Sequence, residues 1–195
     1  MTSPLDTSPE GGTDQPDIDA LFARCLADAG TQSGTPAAVT LIHIGGWRTT
    51  VMTGAKDRAA QRLDLEIGAR RTATELFRHN PPTPHELEIA INVVEDEVAR
   101  ARQMLEGGSV LVAPGGTLGI LARDAGVEAA SGQRLTLEAV EALFQQLSRV
   151  SLGSAPASIA AANDPTQAAI LLILREFMHH MDFHDVMLRC DSMTT

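Results

Sequence analysis

The sequence predicts an α/β domain in which early strands build a mixed sheet and later helices pack on it. Three observations carry this. Val39–Ile44, Trp47–Thr53 and Leu63–Ile67 read as strands separated by glycine turns, the last with Leu63, Leu65 and Ile67 alternating with Asp64 and Glu66. Thr83, Pro84 and Glu86 form a helix-start signature before a long apolar stripe. Gly107 to Arg123 reads as strand, glycine turn and helix: Val110–Val112 is an apolar run, Pro114-Gly115-Gly116 breaks it, and Thr117 is the expected N-cap of the apolar run from Leu118 onward. This last unit is the stretch around which the chain is organised.

The elements come in order along the chain. Residues 1–16 are Thr, Ser, Pro, Gly and Asp with little to bury, and are expected to be a disordered tail. Residues 17–195 are expected to form a single domain. Asp17 to Ala29 spaces Ile18, Leu21, Phe22, Cys25 and Leu26 as an amphipathic helix, ended by Gly30. Val39–Ile44 and Trp47–Thr53 are expected to pair as a hairpin across Gly45-Gly46, with Leu63–Ile67 completing an antiparallel meander and Val110–Val112 joining the same sheet. Thr72 to Phe77 is a short helix. The helix opened by Thr83 runs through Leu87, Ile91, Val94, Val98, Ala101 and Leu105 to Gly107-Gly108. Thr136 opens another helix, 148–163 is expected to be a loop, Thr166 to Met181 an apolar helix central to the core, and Val186 to Cys190 a last strand.

Composition narrows the class. Aromatic residues make up 3%, with one Trp and no Tyr, so the core is built from Leu, Val, Ile and Ala. A net charge of −10 with no Lys/Arg block excludes a nonspecific nucleic-acid binder and repels polyanions unless a local basic cluster offsets it. Cys25 and Cys190 offer neither a disulfide framework nor a zinc spacing. The N-terminus lacks a signal-peptide pattern, and the apolar run Ala168 to Leu174 is too short to span a bilayer. The expectation is a cytoplasmic protein that engages neither membrane nor nucleic acid.

Three groups of residues carry candidate chemistry. A glycine turn before a helix aims backbone N–H groups and a positive helix end at one point, which suits a phosphate; Gly115, Gly116 and Thr117 fit this, and equally fit a tight connection that binds nothing. Arg48, Arg70, Arg71 and Arg78 are able to form a basic patch suited to phosphate, or to pair with Glu66 and Glu75. His180 and His184 are four apart, near His179, Asp182 and Asp185; the pattern suits either a metal or the polar C-terminal end of an apolar helix, and the latter is the expectation, with no metal site. Ser109 and Ser151 have no local partner pattern for nucleophilic catalysis.

The succession Ile44-Gly45-Gly46, Ile67-Gly68-Ala69-Arg70-Arg71, His79 through Leu87, Val112-Ala113-Pro114-Gly115-Gly116-Thr117 and Arg134 through Glu138 resembles the second actin-like half of the exopolyphosphatase and guanosine pentaphosphate phosphohydrolase (Ppx/GppA) family, over roughly residues 38–190. The resemblance implies a ribonuclease-H-like (actin-like ATPase) fold and hydrolysis of phosphoanhydride bonds in polyphosphate or guanosine pentaphosphate, usually with Mg2+. It implies phosphate contacts at Gly45, Gly46, Arg48, Arg71, Gly115, Gly116 and Thr117. It makes Asp19, upstream of the first strand, the nearest match to the family's general base. In the family the first glycine loop follows an aspartate and ends in a glutamate. Here His43 stands for the aspartate, Trp47 for the third glycine, Arg48 for the serine and Thr50 for the glutamate. The alternative reading is therefore a non-catalytic phosphate- or nucleotide-binding or oligomerisation module. With only one half represented, the expected partner is a second copy or a chain supplying the other half.

Overall fold

The computed structural model describes residues 17–29, 38–55, 58–105, 107–128, 132–155 and 158–189. The expected tail, the loop after the first helix and Cys190 lie outside them. The first strand β1 (Ala38–Ile44), β2 (Thr49–Ala55) and β3 (Arg58–Leu65) form the expected antiparallel meander. The third strand begins earlier than alternation predicts and ends at Leu65, because the chain turns at Glu66–Gly68 to start a helix. Strand β4 (Val110–Pro114) lies parallel to β1, and β6 (Asp185–Arg189) parallel to β4. A short strand not foreseen in the sequence, β5 (Arg134–Thr136), pairs antiparallel with β6 at the edge, giving the order β3-β2-β1-β4-β6-β5.

Helices divide unequally between the two faces of this sheet. Helix α1 (Ile18–Ala29) covers one face, setting Leu21, Phe22 and Cys25 against Val39, Leu41, Met52 and Val112. The other face carries Ile42, Ile44, Val51, Leu65, Leu111 and Ala113. There they meet α2 (Ala69–Leu76), α3 (Pro84–Ala99), α4 (Gly115–Asp124), α5 (Leu137–Ser151) and α6 (Pro165–His180). Alternate residues of β1 thus feed two separate apolar layers, as strand geometry requires. Helix α6 is the axle of the larger layer, with Leu171, Leu172 and Phe177 fully buried; each such side chain contributes about 1.5–3 kcal/mol.

The helix starts obey local chemistry. Thr83 accepts from the Glu86 N–H while Glu86 accepts from the Thr83 N–H, completing the predicted capping box with Pro84 at the first position. Thr136 caps α5 through the Ala139 N–H, and Asp164 caps α6 through the Thr166 N–H. The predicted loop 148–163 is shorter than expected: α5 continues to Ser151, and Ala160–Ala162 forms a 3-10 turn.

Candidate functional site

In an open α/β sheet, ligand sites form at the carboxyl ends of parallel strands, where connections diverge to either side. Here that place is the junction of β1 and β4, and both glycine pairs leave the sheet there. They differ in what their backbone can offer.

The turn after β1 is closed by a hydrogen bond from the Gly45 N–H to Arg48 O, 2.9 Å. Gly45 O then accepts from the Ala69 N–H (2.9 Å), and Gly46 O from the N–H groups of Arg70 (2.8 Å) and Arg71 (2.9 Å). The first amides of α2, ordinarily the unsatisfied donors of a helix start, are consumed by the hairpin turn. Gly68 makes this docking feasible: a Cβ there would lie 2.6 Å from Trp47 C and 2.7 Å from Arg48 N. The glycine is required by space, since its backbone is simply extended.

The charges around this turn are largely spoken for. Arg48 pairs with Glu66 at 3.3 Å; Arg71 pairs with Glu66 at 2.5 Å and with Glu75 at 3.3 Å. Hydrogen bonds that the guanidinium donates to Glu66 and then to Glu75 raise the Arg71 pKa. The expected basic patch therefore exists as paired surface arginines, and the structure does not leave Arg48 and Arg71 free for phosphate. Arg70 is different. It is exposed, no ion pair or side-chain hydrogen bond involves its guanidinium among the described residues, and its Cβ lies 3.9 Å from where a Gly46 Cβ would be. Trp47, 53% exposed, follows Gly46 on the hairpin turn, to whose carbonyl the Arg70 N–H donates.

The second glycine pair is open. Helix α4 starts at Gly115, not after Thr117, so Thr117 sits inside its first turn and is not the N-cap. Pro114 occupies the cap position and supplies no side-chain acceptor, which leaves the helix start without the cap that Thr83, Thr136 and Asp164 give elsewhere. A Cβ at Gly115 would meet Arg189 O at 3.3 Å, whereas the space around Gly116 is empty.

On the α1 face, cross-strand register lines up His43, Thr50 and Asp64. Thr50 Oγ1 donates to Asp64 Oδ1 at 2.7 Å. Arg62 bridges Asp64 and Asp19, each at 3.4 Å. Asp19 thus stands at the edge of this row, although 71% of its side chain is exposed. Asp64 was missed in the sequence, where it reads only as the polar half of an alternation; register with Thr50 is the signal that reveals it. This donor set does not fit the magnesium implied by the family: a hard cation requires several available oxygens, and the Asp64 and Glu66 carboxylates are already engaged by Thr50 and arginines.

A cavity of about 480 Å³ lies elsewhere. It opens at the amino ends of β4 and β6, lined by Arg102, Ser109, Arg134, His180 and His184 among others. Arg134 is held by Asp185 at 2.5 Å. Because α6 ends at His180, His180 and His184 do not share a helix face; His184 lies in the bend before β6. His180 instead meets Glu95 of α3 and Glu176 of α6, the three offering ligand atoms within 4.8 Å of one another.

A mixed sheet of this order with glycine turns at the β1/β4 junction defines an actin-like, ribonuclease-H-like domain. The Ppx/GppA phosphatase family model matches residues 26–189, and the chain belongs to that family. Solved structures agree in fold. An Aquifex aeolicus Ppx/GppA phosphatase, type II variant, is 18% identical with a TM-score of 0.65, covering 85% of this chain and 57% of that one. Another structure of the Aquifex aeolicus family member is 19% identical with a TM-score of 0.67, covering 90% and 58%. An exopolyphosphatase from Cytophaga hutchinsonii is 15% identical with a TM-score of 0.61, covering 88% and 59%. The chain spans less than two thirds of each, which fits the second actin-like half alone. No protein of curated function matches the sequence significantly. Among the described residues no helix is long and apolar enough to cross a membrane.

Proposed function

We propose that this chain is the phosphate-binding half of a phosphoanhydride hydrolase of the Ppx/GppA type, acting on polyphosphate or guanosine pentaphosphate. The observation that carries the reading is the uncapped start of α4 at Gly115-Gly116, opening at the same sheet edge as the unpaired Arg70. Backbone donors and a guanidinium at one edge suit a phosphate chain. Thr117, in the first turn of the same helix, adds a hydroxyl. The water-activating carboxylate is the weak point. His43 and Thr50 occupy the hairpin positions; on their face of the sheet stand Asp64 and Asp19, both tied to Arg62, while Glu66 at the turn is paired with Arg48 and Arg71. General-base catalysis contributes about 10²- to 10⁴-fold, so turnover by this chain alone is expected to be slow by that order.

The second reading is a non-catalytic binding or oligomerisation module, favoured specifically by the neutralisation of Arg48 and Arg71 through Glu66. A homodimer, or a partner chain carrying the other half, completes the site in either case. The test is twofold. Calorimetric titration with tripolyphosphate should show binding that Arg70→Ala and Gly116→Asp each weaken about tenfold or more, the scale of one charge-assisted hydrogen bond. Phosphate release from polyphosphate and guanosine pentaphosphate separates the readings: slow, Arg70-dependent release supports the hydrolase, and binding without release the module. Binding unchanged in both variants refutes this placement of the site.

A further inference from the structure

We propose that Glu95, Glu176 and His180 form a binding site for a divalent cation of the zinc class, clamping α3 to the C-terminal end of α6. The site lies at the amino ends of β4 and β6, the opposite edge of the sheet from the glycine turns. It is independent of the phosphate site.

Geometry is the first argument. A tetrahedral cation with ligands at about 2.0–2.1 Å sets its ligand atoms roughly 3.3–3.4 Å apart. His180 Nε2 lies 3.1 Å from Glu95 Oε1 and 3.4 Å from Glu176 Oε2. Two edges of the tetrahedron are thus already present. The third needs only a small rotation of Glu95, whose side chain is 40% exposed and free to adjust.

Charge is the second. Glu176 is 1% exposed, and burial pushes its carboxyl pKa up, with Glu95 acting in the same direction and Arg175 against it. Glu95, Glu141 and Glu176 converge on one guanidinium, that of Arg175, and one imidazole. With the imidazole neutral, as a metal ligand must be, the Glu95, Glu141 and Glu176 carboxylates outnumber the two guanidiniums beside them, Arg175 paired with Glu141 and Glu176 and Arg102 donating to His180 O at 2.9 Å. A dication removes that imbalance where a hydrogen bond from His180 removes only part of it.

Support around the ligands is the third. Arg175 holds the other oxygen of Glu176 and is itself fixed by Glu141 at 3.0 and 3.1 Å, with its guanidinium 4.6 Å from the centre of the Phe144 ring. Glu176 Oε2 is therefore presented towards His180 by a rigid outer layer, the arrangement that orients metal ligands. Of the three ligands, His180 lines the 480 Å³ cavity, so the imidazole is the one that solvent or a cation reaches from that side. An imidazole with two carboxylates favours Zn2+ over Mg2+, which takes oxygen alone and sheds water reluctantly.

The experiment uses the whole chain, stripped of metal, titrated with Zn2+ by calorimetry and monitored by thermal unfolding. One Zn2+ per chain should bind and raise Tm, while Mg2+ at the same concentration does neither. His180→Ala and Glu95→Gln should each weaken Zn2+ binding by at least about tenfold, and His184→Ala should leave it unchanged. Co2+ in place of Zn2+ should give the visible bands of a four-coordinate ion, lost in His180→Ala. Glu95→Gln changes a half-exposed side chain, so it reports on binding even if His180→Ala fails to fold. Absence of stoichiometric Zn2+ binding, equal binding in Glu95→Gln, or a preference for Mg2+ overturns the proposal.

Discussion

Glu86 is the residue on which the most hydrogen bonds converge. Burial opposes its charge, but the Thr83 N–H, the His79 ring and the Arg78 N–H donate to it and hold its pKa at about 2, against 4.5 for the free side chain. A folded pKa below the unfolded one means stability that is fully present above about pH 4.5 and is lost as pH falls towards 2. Glu86→Ala should destabilise the protein by on the order of 2 kcal/mol at neutral pH, because it removes the charged acceptor shared by the part-buried hydrogen bonds from the Thr83 N–H, the Arg78 N–H and the His79 ring. It should also flatten the acid limb of a urea-denaturation series run from pH 7 to pH 2. Gly68 is the second decisive residue. Gly68→Ala puts a methyl into the backbone of the hairpin turn and should cost about 1–3 kcal/mol. The single tryptophan, on that turn, makes the loosening visible as a shift in its fluorescence. Both residues were legible in the sequence, but in different senses. The capping box declared its own partners through spacing, whereas Gly68 read only as a turn, since the Trp47–Arg48 backbone it must make room for lies far upstream in the chain.

At the scale of elements, α6 was legible because its apolar run admits only burial. What the run concealed is Arg175-Glu176, a charged pair carried into the core by its C-terminal half. Arg175→Met should cost about 3–5 kcal/mol, the penalty for leaving a buried carboxylate unpaired. Glu176 already has a raised pKa, so protonation favours the folded state and its contribution is lost as pH rises through the folded value. The Arg175→Met defect should accordingly be larger at pH 8 than at pH 5, in guanidinium unfolding monitored by circular dichroism. The strands β1 to β4 were readable from alternation and glycine breaks. β5 was not, because three residues carry no period and its pairing with β6 is decided 51 positions away, where Arg134 meets Asp185. The histidines show the same limit: the sequence offered His180 with His184, and the fold instead pairs His180 with Glu95, from a helix whose register no local pattern connects to α6.

At the scale of the molecule, the sheet is covered unevenly, with α1 alone among the described helices against one face. Leu26, Val110 and Met187 of that layer are only partly buried, and apolar surface left incompletely covered tends to find a partner. Light scattering of the purified chain should show self-association, or a complex when a chain carrying the other actin-like half is added; a clean monomer under both conditions contradicts the expected partner. The family and its fold were legible from the order of motifs. The proposed phosphate site was legible only in outline, because glycine pairs look alike in sequence while hydrogen bonding spends the amides beside one and spares those of the other.

That difference has an electrostatic consequence. The amide dipoles at the start of α2 are occupied by Gly45 and Gly46 carbonyls, so an anion arriving beside the hairpin meets a mobile guanidinium rather than a fixed positive helix end. Solvated charges are screened over about 8 Å at physiological ionic strength, and the chain as a whole, at −10, repels the same anion. Tripolyphosphate affinity should therefore fall steeply as NaCl rises from about 20 to about 300 mM, roughly tenfold or more. In Arg70→Ala the residual affinity, left to the α4 backbone, should show a much shallower salt slope.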